Sequence, residues 1–132
     1  MNNYPLGNFL IQIKNAHLAG KSQVTTPYSR IKEEIAKILV DGGFLATVEK
    51  KKIKDKKFFN LEVSLGEEEK KKTFWEVKLY SKPGCRYYAK TNEIPYPPTS
   101  QGLVIISTPK GLMRGFEARK KNTGGEVIAV VW

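Results

Sequence analysis

The sequence is poor in the residues that most enzyme and metal chemistry requires. It carries one cysteine, Cys85, and one histidine, His17, in 132 residues. A lone cysteine closes no disulfide within the chain and, beside a single histidine, builds no zinc cluster; this usage fits a reduced, cytosolic, soluble protein. The spacings HExxH, GxSxG, GxxxxGK[ST] and GxGxxG are all absent. With them go the usual sequence signs of a metalloprotease, a hydrolase, a P-loop nucleotidase and a dinucleotide enzyme. No catalytic residue, metal site or cofactor is therefore expected. Long apolar stretches are missing as well: the longest runs over only six residues, 127–132, against the roughly 20 that span a bilayer. The first basic residue is Lys14, so no charged segment precedes an apolar one, and neither a secretory signal nor a membrane partner is expected.

Acidic residues are also scarce: 13 Asp plus Glu stand against 23 Lys plus Arg, a net charge of +10. Such an excess points to a polyanionic partner, because each lysine or arginine that neutralises a phosphate releases condensed counterions. Charge alone does not choose among RNA, DNA and anionic lipid. With 40% hydrophobic residues, two Trp, six Tyr and six Phe, there is material for a packed core in one or two small domains.

Along the chain, Pro5 opens a helical pattern with Leu6, Phe9, Leu10 and Ile13 on one face, Asn3 as a candidate cap and Gly20 past its end. Residues 23–26 are short and β-prone. Ser29 is placed to cap a second helix with Ile31, Ile35, Ile38 and Leu39 in one stripe, ended by Gly42 and Gly43. Residues 44–49 read as a strand, 50–57 as a charged turn, and Phe59, Leu61, Val63 and Leu65 as the buried face of another strand. The first half is thus αβαββ, residues 1–66. Residues 67–72 are a charged linker or turn, and residues 73–132 form a mostly β domain with one short helix. The fold class expected is α+β in two small domains. In the second half, Trp75, Val77 and Leu79 alternate with polar residues, and Lys82-Pro83-Gly84 supplies a tight turn. Residues 103–106 and 126–132 are apolar strands, and a short basic helix ends near Lys121.

Four features bear on function. Ser107-Thr108-Pro109-Lys110-Gly111 lies between a buried strand and a helix. It reads either as a loop whose hydroxyls and lysine meet phosphate, ribose and base edges, or as an ordinary connection. Arg86-Tyr87-Tyr88 reads either as a cation beside aromatics that can stack on an unpaired base or as two core tyrosines; on a strand only one of the two faces outward. The pair Gly124-Gly125 lets a backbone approach another surface closely, or merely stops a helix. Lys14, Lys21, Arg30, Lys32 and Lys37 scatter over the first half.

Taken in order, several segments resemble the bacterial form of the eighth protein of the small ribosomal subunit. They are residues 5–16 with the ending Ile13-Lys14-Asn15-Ala16, then Lys82-Pro83-Gly84-Cys85-Arg86-Tyr87-Tyr88. Ser107-Thr108-Pro109-Lys110-Gly111-Leu112-Met113 and Gly124-Gly125-Glu126 complete the set. In the family a serine usually stands where Pro109 is, and a basic residue commonly follows the strand tyrosine, where this chain has Ala89. The resemblance implies a cytoplasmic, non-enzymatic protein of the ribosome that binds the central domain of small-subunit ribosomal RNA and supports subunit assembly. It also implies neighbouring small-subunit ribosomal proteins as partners, repression of its own operon messenger, and a monomer when free. By motif match the RNA contacts fall on Tyr88, Ser107, Thr108, Lys110, Gly111, Gly124, Gly125 and Glu126, with Arg86 beside them. Lys14, Asn15, Arg30 and Lys32 are the RNA-binding candidates of the first half. The alternatives are a general nucleoid-type nucleic-acid binder and a metal-dependent nuclease, for which no carboxylate spacing speaks.

Overall fold

The computed structural model describes residues 5–54, 57–66 and 76–132. The chain forms two compact units, Asn8–Phe74 and Trp75–Trp132 with Met1–Gly7. Both combine helices with antiparallel sheet, so the fold is α+β. The linker expected at 67–72 and the cap at Asn3 lie outside the described residues.

The first unit follows the expected αβαββ order: α1 (Pro5–Leu18), β1 (Gln23–Pro27), α2 (Arg30–Asp41), β2 (Thr47–Lys52) and β3 (Phe59–Ser64). Ser29 caps α2 by accepting from the Lys32 amide, and Gly20 and Gly43 take the left-handed φ of +72° and +87° that ends a helix. The sheet order is β1-β3-β2, with Val24 and Val48 both facing Val63. Leu61, Val63 and Leu65 are fully buried, together with Leu10, Ile13, Ile35, Ala36 and Leu39 from the helices. The stripe on α2 is thus turned from the expected one: Ala36 is buried and Ile31 exposed, since a small residue lets the helix sit close. The second strand also starts later than expected. Phe44 and Leu45 are buried in the chain leading into it. Lys50, Lys51 and Lys52 belong to β2 rather than to a turn, because β3 supplies a hydrogen-bonding edge as far as Phe59.

The second unit holds β4 (Val77–Leu79), β5 (Tyr88–Ala89), a 3-10 turn at Thr91–Glu93, β6 (Leu103–Thr108), β7 (Gly111–Arg114), α3 (Gly115–Lys120) and β8 (Gly125–Val131). Its sheet runs β4-β8-β6-β7, and β5 pairs with the start of β8. Ala89, Val104, Ile106, Met113, Val127 and Val130 face one cluster, closed by Ile94 and by Ala118 of α3. As the continuous apolar runs led one to expect, β6 and β8 are buried on both faces.

Truncating the centre of the first sheet, Leu61→Ala, leaves a cavity beneath both helices. It should cost about 2–5 kcal/mol, read as a lower urea midpoint with an unchanged slope.

Candidate nucleic-acid interface

One end of the second sheet gathers nine of the residues singled out from sequence. Across it run the register partners Tyr88, Glu126, Ser107 and Leu112, one from each of β5, β8, β6 and β7. Partners in register point to the same face, and here that face is the one turned away from the apolar cluster. Farther along the same face Leu103, Ile105, Ala129 and Val131 are buried. At this row it opens: Tyr88 is 69% exposed, and Ser107 and Glu126 are half-buried. Arg86 joins the row through its guanidinium, 3.4 Å from the Glu126 carboxylate.

Gly124 and Gly125 hold this end together. A Cβ on Gly125 would collide with the carbonyl oxygen of Ser107, and one on Gly124 with that of Ala89. Without side chains the chain enters β8 between β5 and β6, drawing the tyrosine strand and the hydroxyl strand to its two sides. The close approach that the glycine pair permits is therefore one within the molecule. It leaves a cleft of about 560 Å³ whose walls include Tyr88, Lys90, Thr91 and Glu93, with the two glycines at its base.

The segment expected to link a strand to a helix is instead a tight hairpin between β6 and β7, and α3 begins only at Gly115. Four residues, of which only Met113 is buried, are too few to show alternation in a sequence, so β7 had no visible period. The turn is built by Thr108, which is 8% exposed. Its hydroxyl accepts from the Lys110 amide at 3.1 Å and donates to the Gly111 carbonyl at 2.8 Å. Gly111 sits at φ +114°, where a side chain would be strained. Strand alternation sends Ser107 to the open face and Thr108 to the other. Among the described residues the Ser107 hydroxyl has no hydrogen-bond partner, whereas that of Thr108 is used in shaping the hairpin. Lys110, at the tip, rests its ammonium 3.3 Å from the Lys121 carbonyl at the end of α3, a favourable place for a cation.

Neither tyrosine of the Arg86-Tyr87-Tyr88 motif packs into the core, as alternation alone had required of one. Tyr87 is 44% exposed and lies edge-on to Tyr80 at 5.1 Å, although its carbonyl accepts from the Val127 amide at 2.9 Å; it is Ala89 that turns inward. The expected turn at Lys82-Pro83-Gly84 is present: Cys85 donates to the Lys82 carbonyl at 2.9 Å, and Gly84 has φ +80°.

Sequence reasoning overlooked Ser81. Its buried hydroxyl donates to the Val127 carbonyl at 2.8 Å and accepts from the Tyr87 amide at 3.0 Å, tying the tyrosine segment to β8. A serine before Lys-Pro-Gly carries no signal of that task, since its partner lies 46 residues away. The remaining candidates lie in the other unit. Lys14 and Asn15 are on α1 and Arg30 and Lys32 on the first turn of α2. Arg30 pairs with Glu34 at 3.5 Å, and the Lys32 ammonium reaches the Thr26 hydroxyl at 3.3 Å. Among the described residues no three His, Cys, Asp or Glu side chains gather in a way that would hold a metal ion, and no helix is long and apolar enough to cross a membrane.

Comparison with known proteins gives a class, that of structural proteins of the ribosome rather than enzymes. The family model described as Ribosomal protein S8 matches residues 4–132. Relatives named small ribosomal subunit protein uS8 include one from Cereibacter sphaeroides, 41% identical over 98% of this chain and 99% of its own. Others come from Mycoplasmopsis synoviae, 40% identical over 97% and 96%, and Staphylococcus epidermidis, 37% identical over 97% and 96%. The chain belongs to the ribosomal protein S8 family.

Two substitutions test the framework of the site. Ser81→Ala leaves a part-buried amide and a buried carbonyl short of a partner and should cost about 1–3 kcal/mol. Gly125→Ala should cost about 1–3 kcal/mol through overpacking. In both variants hydrogen exchange should rise at the amides joining β8 to its neighbours, with the first unit unchanged.

Proposed function

We propose that the open end of the second sheet binds small-subunit ribosomal RNA directly and that the chain thereby supports assembly of that subunit. The observation that carries this reading is the row Tyr88–Glu126–Ser107, flanked by the Lys110 hairpin and the glycine-based cleft. A-form RNA offers its shallow minor groove, its 2′-hydroxyls and its unstacked bases. An exposed ring, a free hydroxyl and bare glycine backbone at the foot of a cleft are suited to those features, and a long recognition helix is not. In this reading Tyr88 stacks on a base, Ser107 bonds a ribose or base edge, and Lys110 exchanges a carbonyl for a phosphate. Gly124 and Gly125, which line the cleft, offer their backbone to the sugar-phosphate chain. Thr108 and Gly111 fix the hairpin, and Arg86 and Glu126 hold each other in place beside Tyr88. Mounting on buried strands lowers the ordering entropy lost on binding.

The relatives' name, that of a protein of the small ribosomal subunit, supports other ribosomal proteins of that subunit as further partners. The remaining parts of this proposal are a cytoplasmic ribosome, a free protein that is monomeric, a domain boundary at residues 67–72, a contribution from Lys14, Asn15, Arg30 and Lys32, and repression of the operon messenger through a similar RNA fold.

The test is titration of a small-subunit rRNA transcript at several salt concentrations. Tyr88→Ala should weaken binding by about 1–3 kcal/mol with the salt slope unchanged. Lys110→Ala should flatten that slope by about one unit. Parental binding by both variants would remove the site from this face, and equal affinity for unrelated duplex DNA would favour a general nucleic-acid binder.

A further inference from the structure

Half of the chain's net charge sits in eight residues. Residues 50–57 contain six lysines and one aspartate, +5 of the total +10, and the described ones lie in β2 and in the hairpin connection to β3. The fold uses only part of this density. Two of these lysines are occupied. Lys51 lies 2.8 Å from the Glu62 carboxylate and 3.7 Å from that of Glu49, and the hydrogen bond and charge of Glu62 raise its pKa. The Lys50 ammonium rests over the rings of Tyr28 and Phe59, at 4.2 and 4.3 Å. Lys52, Lys54 and Lys57 are exposed and have no carboxylate partner among the described residues. Beside them Phe58 is 70% exposed, the most exposed phenylalanine described. Its backbone is held in the hairpin, its carbonyl accepting from the Ile53 amide at 3.0 Å.

We infer that the β2–β3 hairpin is a second RNA-contact surface, where Lys52, Lys54 and Lys57 neutralise phosphates and the Phe58 ring stacks on an unpaired base. A bare ring on a fixed backbone among free cations is the combination that single-stranded and irregular RNA recognises: stacking tolerates any base, and the lysines follow the backbone. An anionic membrane would engage the lysines equally well. It would need a continuous apolar patch to sink into the interface, and here a single ring stands between charges. Lys50 acts at one remove, covering Tyr28 and Phe59 so that Phe58 is the ring left uncovered. This inference rests on the reading of the protein as an RNA binder but not on the site assigned to the second unit.

The experiment uses the full chain and a small-subunit rRNA transcript. The triple variant Lys52→Gln, Lys54→Gln, Lys57→Gln should lower the salt slope by about two units, from roughly 0.7 per phosphate. Phe58→Ser should weaken binding about tenfold at unchanged slope, and Phe58→Trp should retain parental affinity. Ultraviolet crosslinking of the parent to the transcript should label the peptide spanning residues 50–59. Parental slope in the triple variant, parental affinity in Phe58→Ser, or no crosslink to that peptide overturns the inference. So does binding to phosphatidylserine vesicles that is as tight as to the transcript and equally sensitive to the triple variant. The two sites separate cleanly. Weak hairpin variants with an unaffected Tyr88→Ala would uphold this surface and reject the other, and the reverse pattern would do the opposite.

Discussion

At the entry to β8 the carbonyl oxygens of Ala89 and Ser107 leave no room for a side chain at Gly124 or Gly125. The rest of the second unit depends on that exclusion. Because the backbone slips between β5 and β6, β8 becomes the shared partner of strands that are distant in sequence, and every residue of the open row takes its position from it. Ser81 completes the arrangement from beneath: one hydroxyl satisfies a donor on the tyrosine segment and an acceptor on β8. A mispacked glycine pair would therefore damage the proposed site without touching any of the side chains that would meet a ligand.

How much of this was legible in the sequence differs by element. Helices announced themselves through Pro5, Ser29, Gly20 and the Gly42-Gly43 pair, because capping and termination are local chemistry. The doubly buried strands were equally plain, since an unbroken apolar run has few other uses. What escaped were features set by distant partners. β7 exists because β6 offers it an edge, β2 extends through three lysines because β3 does the same, and Tyr87 packs edge-on to Tyr80 while Ala89 fills the core. Within the site the residue types were visible, whereas their division of labour was not. Ser107 and Thr108 are chemically alike, and only the alternation of β6 and the hairpin turn assign one hydroxyl to the surface and the other to the scaffold.

The two units carry charge in different ways. In the second, the lysine at the hairpin tip rests on the carbonyl end of a short helix, and an arginine is balanced by Glu126. The nine cations and four carboxylates of residues 76–132 leave a net +5 spread along the unit. In the first, the β2–β3 hairpin concentrates lysines with few partners, a pattern that raises affinity and encounter rate more than selectivity. A protein built this way would locate a polyanion with one unit and discriminate with the other.

The sheet order β4-β8-β6-β7 has a consequence for behaviour at high concentration. Its longest strands, β6 and β8, are interior, while the margins are made by β7 with four residues on one side and by β4 and β5 with three and two on the other. Among the described residues, edges this short present few unpaired amides and carbonyls to a second chain, and Pro109 at the hairpin tip removes one more donor. Apolar strands of this quality would be an aggregation hazard if they lay at the rim. Enclosed as they are, they give the sheet its stability without offering a template for edge-to-edge growth between crowded copies of a cationic protein.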